Sequence, residues 1–299
     1  MDNTETYAPE SLDEVAALLL AAEEQPYPVV AGTALLTQVH GAAGPTRIIV
    51  ELARVPEMNR LEYEERSGLL IGAAVPLDEP LQFPPLRGPY AILADGMSPA
   101  GSRPAGAGAT LGECLSAQEP DANLALPLIC LGGSVAIFGP HGWSEMSVEA
   151  LCARQRGAAL LPGEFIVDAR LPACPRLSGG AYMRSVPGHS SEDALGAGVF
   201  LVMQDDLETC CGARLTLRVG GGPPLRALDA ERFLHGRRLE ERAVGQAGDL
   251  AVEAARLPSP LGSAEDRPTV LRDLTCQAIR RALERARPRP DSRSAARRK

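Results

Sequence analysis

The sequence predicts an α+β protein in two parts, and three observations carry that prediction. Of its 299 residues 45% are apolar and 23% are charged, a globular composition in a chain long enough for about two domains. Up to Leu171, short apolar runs bounded by Gly and Pro read as strands, with helical spacing between some of them. Beyond Pro172, strand-like runs come first and helical runs last, the order of an antiparallel sheet with helices on one face.

Ser11-Leu-Asp-Glu14 has the form of a capping box, in which the Ser hydroxyl takes the amide of Glu14 and the carboxylate reaches back. Val15, Leu18, Leu19 and Ala22 follow at helical spacing, so a helix is expected over about 11–22. Tyr27–Ala31 reads as a strand running into Gly32-Thr33-Ala34-Leu35-Leu36 as a strand–turn–helix junction, and Arg47–Leu52 as the next strand. Together these are expected to make a β-α-β-α-β unit over about residues 1–55. Gly68–Val75 reads as a buried strand, residues 76–108 hold little regular pattern, and 96–108 should be mostly loop. Leu124–Leu131 reads as an apolar helix, and Ser134–Phe138 and Gly163–Leu171 as strands. In the second part, strands are expected at Ala181–Val186, Gly198–Gln204 and Ala213–Val219, and helices at Asp229–Leu234, Glu240–Arg256 and Thr269–Arg287. The expected divisions are 1–172, itself split into about 1–55 and 56–172, then 173–287, then a basic tail at 288–299 that is expected to be disordered.

Composition narrows the function. The net charge of −8 speaks against nucleic acid as a partner of the whole chain. The N-terminus is acidic and polar, and no apolar run approaches the roughly 20 residues that cross a bilayer; a cytoplasmic chain without a transmembrane segment is expected. The seven cysteines show no C-x-x-C spacing, and the four histidines are scattered. Neither a disulfide framework nor a metal site is expected, and most of the cysteines should be small core residues.

Two small-residue turns can bring backbone amides close to an anion: Val30-Ala31-Gly32-Thr33, where Thr33 adds a hydroxyl, and Ala109-Thr110-Leu111-Gly112. Each can equally be a tight turn with no ligand. Asp121 and Asn123 can cap the helix that follows or bond a ligand, and the two roles are compatible.

The order of landmarks over nearly the whole chain points further. Tyr7-x-Pro9-x-Ser-Leu-Asp-Glu14 is followed by Val30-Ala-Gly-Thr-Ala-Leu-Leu36, Val50-Glu-Leu52, Val55-Pro-Glu57 and Leu70-Ile-Gly-Ala-Ala-Val75. Then come Ala109-Thr-Leu-Gly112, Leu161-Pro-Gly-Glu164, Arg170-Leu-Pro172, Gly220-Gly-Gly-Pro-Pro-Leu-Arg226 and Leu234-His-Gly236. This series resembles the FAD-binding medium subunit of the molybdenum hydroxylases, a family that includes carbon monoxide dehydrogenases and xanthine dehydrogenases. The resemblance implies an FAD-binding domain of the vanillyl-alcohol-oxidase type in two subdomains, a smaller α+β domain behind it, and FAD between them. It also implies a hetero-oligomer. Electrons would come from a molybdopterin-containing large subunit through the 2Fe-2S clusters of a small subunit, and would leave through flavin to NAD, quinone or oxygen. No side chain need be catalytic, because the flavin carries the chemistry.

Carried over residue by residue, the resemblance gives Ala31, Gly32, Thr33, Ala34 and Leu35 to one pyrophosphate loop and Thr110, Leu111 and Gly112 to the other. It places Asn123 on the flavin's sugar-like chain and Asp193 at an acidic position of the second part. Several positions depart from the family's pattern. Ala31 stands for a glycine, Ala34 for a polar residue, Gly106-Ala107 for Arg-Asn, Glu113 for glycine, Cys114 for asparagine and Met183 for a lysine. A carboxylate about 4 Å from a phosphate charge costs on the order of 4 kcal/mol at an effective dielectric of ~20. Two readings therefore stand: an FAD-binding electron-transfer subunit, and a non-catalytic subunit that keeps the fold and has lost or weakened FAD binding.

Overall fold

Among the described residues three sheets, each drawn from a continuous region of chain or nearly so, position everything else. The computed structural model describes residues 3–21, 29–31, 34–41, 44–97, 110–116, 122–154, 160–161, 163–185, 194–257 and 267–287, with the backbone alone at 3–5, 21, 29–31, 34–41, 44–49 and 122.

The first sheet holds β1 (Asn3–Tyr7), β2 (Val29–Ala31), β3 (Ala34–Gly41) and β4 (Gly44–Glu51), in the order β1-β4-β3-β2. β1 runs parallel to β4 and the other pairs are antiparallel. Helix α1 (Leu12–Ala21) joins β1 to β2. Its cap forms nearly as predicted: Ser11 Oγ accepts the Glu14 amide at 3.3 Å, while the Glu14 carboxylate accepts the amide of Glu10, not of Ser11, at 2.8 Å. The expected β-α-β-α-β unit is corrected here. Ala31 pairs with Ala34, so the chain turns back as a hairpin and Ala34–Gly41 is a strand, not a helix.

The second sheet has five antiparallel strands, in the order β5-β6-β9-β7-β8. They are β5 (Leu61–Glu64), β6 (Gly68–Gly72), β7 (Ser134–Gly139), β8 (Gly142–Ser147) and β9 (Phe165–Leu171). Four helices belong to this region: α2 (Ala91–Met97), α3 (Leu111–Ser116), α4 (Ala122–Leu131) and α5 (Val148–Arg154). Residues 76–97, expected to be without pattern, contain two short 3-10 turns, Pro80–Gln82 and Pro84–Arg87, and then α2. The helix forms because Ile92 and Leu93 are buried on its inner side; seven residues are too few to show a helical period in the sequence. Residues 98–108 of the expected loop lie outside the described residues.

The third sheet is antiparallel in the order β10-β11-β12-β13, with β10 (Ser178–Arg184), β11 (Leu195–Met203), β12 (Cys210–Val219) and β13 (Leu225–Arg226). Helices α6 (Leu228–Leu234), α7 (Glu241–Ala255) and α8 (Arg267–Ala286) follow. α8 packs on β10 and β11, α6 on β12, and α7 on α8. The strand alternation shows why this sheet is not covered on one face only. Ala197, Val199 and Leu201 enter the core shared with α7 and α8, while Phe200 joins the core of the preceding region. That second face is covered by α2 and α4. Burial of strands on both faces yields near-continuous apolar runs, as in Leu195–Met203.

Candidate functional site

The elements that flank the two predicted pyrophosphate loops are in contact. α3, which follows the second loop, packs against β2, which leads into the first. Ala31 ends β2 and Ala34 and Leu35 begin β3. Gly32 and Thr33, which join them, lie outside the described residues, as do Asp193, Asp121 and the pair Gly106-Ala107.

The second loop is described from Thr110 onward. Thr110 is buried and caps α3, its hydroxyl accepting the Glu113 amide at 3.3 Å. The Leu111 amide donates to Val75 O at 3.4 Å, that of Gly112 to Ala73 O at 2.8 Å, and that of Cys114 to Thr110 O at 3.2 Å. The four amides from Leu111 to Cys114 therefore all bond within the chain. Gly112 has its own packing reason to be glycine, since a Cβ there would lie 2.9 Å from Ala73 O and 3.0 Å from Ala73 Cβ. Glu113, half-buried, occupies the third position of α3. Thr110-x-x-Glu113 thus stands where a capping box stands, and an acid in the first helical turn is favoured by the helix dipole. Cys114 is buried.

Asn123 is the second residue of α4 and is buried. Tyr182, in β10, donates its hydroxyl to Asn123 Oδ1 at 2.8 Å. The bond joins the middle of the molecule to the third sheet. Beside Tyr182, the Met183 sulfur lies 4.0 Å from Arg281 Nη1. Tyr182, Asp95 and Arg285, which turn out to organise this junction, escaped sequence reasoning. Asp95 fell in a stretch without pattern, and nothing local marks the other two.

The remaining titratable groups offer little chemistry. Burial pushes the Cys130 and Cys152 thiols up to about 12, and those of Cys174 and Cys210 up to about 11, so they stay protonated at neutral pH. All seven cysteines are free thiols, and only Cys211 is exposed. Among the described residues no cluster of His, Cys, Asp or Glu could hold a metal ion, and no helix is long and apolar enough to cross a membrane. A groove of ≈530 Å³, lined by Glu62, Glu64, Ser134, Glu145 and Arg170 among others, includes none of the predicted site residues.

The fit to a bound FAD is divided. Asn123 suits a hydrogen bond to a polar chain, because its carboxamide is buried at a junction and oriented by Tyr182. The amides of residues 111–114 do not suit a pyrophosphate, because each already has an acceptor.

A family model described as FAD binding domain in molybdopterin dehydrogenase matches residues 2–174, and the chain belongs to that family, whose cofactor is FAD. Two relatives are similar in sequence. The 6-hydroxypseudooxynicotine dehydrogenase complex subunit alpha of Paenarthrobacter nicotinovorans is 29% identical over 184 residues, spanning 61% of this chain and 62% of that one. The carbon monoxide dehydrogenase medium chain of Afipia carboxidovorans is 25% identical over 292 residues, 95% of this chain and 96% of the relative. Among solved structures, the Cu,Mo-CO dehydrogenase in its cyanide-inactivated form superposes with a TM-score of 0.75 at 22% identity, over 95% of this chain and 99% of that one. Quinoline 2-oxidoreductase from Pseudomonas putida 86 gives 0.72 at 20%, over 95% and 98%. These two likenesses establish the shared fold.

Proposed function

We propose that the chain is the FAD-binding electron-transfer subunit of a molybdenum hydroxylase complex. It would receive electrons from a 2Fe-2S small subunit served by a molybdopterin-containing large subunit, and pass them through flavin to an acceptor. The observation that carries this reading is the family match over residues 2–174, the region in which α3 is set against β2. The relatives' descriptions as a complex subunit and a medium chain support a hetero-oligomer. A vanillyl-alcohol-oxidase type of FAD domain and a cytoplasmic location belong to the same reading.

In this reading Ala31, Gly32, Thr33, Ala34 and Leu35 hold the pyrophosphate. Thr110, Leu111 and Gly112 form the wall beside it, with the Leu111 and Gly112 amides already given to Val75 O and Ala73 O. Asn123 bonds the sugar-like chain, and Asp193 keeps the acidic role that the family resemblance gives it. FAD, when bound, supplies the redox chemistry; the chain's residues bind and orient it.

The engaged amides and Glu113 favour a second reading, a subunit that keeps the fold and binds FAD weakly or not at all. Co-expression with large and small subunits separates the two. A three-subunit complex with one FAD per chain, bleached when the complex is given its substrate, is expected. An intact complex without flavin selects the second reading.

A further inference from the structure

α8 sends two arginines across to α2. Asp95, on α2, is only 10% exposed. Its carboxylate accepts Arg285 Nη1 at 2.6 Å and Nη2 at 2.9 Å, a two-pronged contact, and lies 3.2 Å from Arg281 Nη2. The same carboxylate accepts the main-chain amide of Tyr182 at 3.1 Å, and Arg285 Nη1 also donates to Gly180 O at 2.7 Å.

The placement of these bonds is specific. Among the described residues β10 is an edge strand of the third sheet, so no described strand pairs with its outward amides and carbonyls. Asp95 and Arg285 together take the outward amide of Tyr182 and the outward carbonyl of Gly180, as a neighbouring strand would. The Tyr182 side chain then reaches Asn123 at the start of α4. A continuous polar path thus runs from α8 through α2 and β10 to the described residue best suited to a flavin contact. Packing supports it. A Cβ on Gly179 would lie 2.3 Å from Ala282 O of α8, and one on Gly180 3.0 Å from Ile92 Cβ of α2. β10 is held tightly between the two helices.

We propose that Asp95 and Arg285 are positioning residues for the flavin site: they fix the edge of β10 and, through Tyr182, the carboxamide of Asn123. A buried pair of this kind adds little net stability over apolar residues of the same shape, and its value lies in the geometry it selects. The proposal rests on the flavin reading above, and its test is built to fail separately from that reading.

Three variants of the full chain are compared with the parent. Arg285→Met breaks the two-pronged contact, Asp95→Asn removes its charge, and Tyr182→Phe deletes only the hydroxyl that reaches Asn123. Arg280→Met, on the same helix as Arg285, removes an exposed pair with Glu241 of α7 and is the control. FAD affinity is measured by flavin fluorescence, and amide hydrogen exchange of α4 well below the unfolding temperature. The three variants should bind FAD about tenfold or more weakly and exchange faster at the start of α4, and the control should do neither. Tyr182→Phe keeps the ion pair, so it reports even where the other two fold poorly. A fall in melting temperature with FAD affinity and α4 exchange unchanged would show a structural role only and overturn the proposal. If the parent takes up no FAD, the flavin reading fails and exchange alone decides. Faster exchange at α4 in Tyr182→Phe upholds the path, and change confined to α8 and β10 ends it.

Discussion

Glu113 shows how one residue can carry opposite meanings in sequence and in structure. As a charge beside a phosphate it weakens binding by Coulomb repulsion; as the third residue of α3 it sits where a helix start favours an acid. Both meanings hold at once, and the neighbouring bonds say which matters locally. The Thr110 cap should contribute about 1 kcal/mol, so Thr110→Val should lower the unfolding free energy by about that amount in a denaturant titration. Unchanged stability would remove the cap from the account. The cysteines give a second check at this scale. With burial raising four of the thiols to about 11 or 12, native protein at neutral pH should show one fast-reacting thiol, Cys211, and denatured protein all seven. Several fast thiols in the native state would contradict the buried positions assigned to them.

At the scale of elements, the legible parts were those with a long pattern. The helix near Ser11 had a capping signature and apolar spacing, and it formed as α1 with Ser11 as its cap and only the return bond of Glu14 shifted by one residue. The strands and helices after Pro172 formed close to their expected bounds, because 15- and 20-residue helices give periodicity room to show. β3 was misread because Gly32–Leu36 was taken as a strand–turn–helix junction, whereas its strand state is fixed by pairing with β4, from Ala34 opposite Glu51 to Gly41 opposite Gly44. Such pairing is tertiary, and local propensity does not contain it. α2 was missed for the same reason: a short helix is specified by what it covers. It covers α4 at close range. Pro127 has no amide to give to the Asn123 carbonyl, and Gly96 of α2 packs over that carbonyl, where a Cβ would lie only 2.1 Å away. Gly96→Ala should therefore cost about 1–3 kcal/mol by overpacking and loosen α4, seen as a lower melting temperature. A neutral Gly96→Ala would mean that the two helices are not held as described.

At the scale of the molecule, the third sheet is the shared wall. α8 covers one face, α2 and α4 cover the other, and the Asp95–Arg285 pair closes its edge. The family was legible because its landmarks keep their order along the chain even where single positions have changed. The site was less legible because a binding loop is defined by which amides lack a partner, and partners such as Ala73 O and Val75 O come from another part of the chain. The central claim, that this chain is a flavin-carrying subunit, is tested most directly by the FAD content of the purified protein. Acid extraction and the visible absorbance spectrum should show oxidised flavin at close to one FAD per chain after gel filtration. A colourless chain that also fails to take up added FAD would contradict the claim.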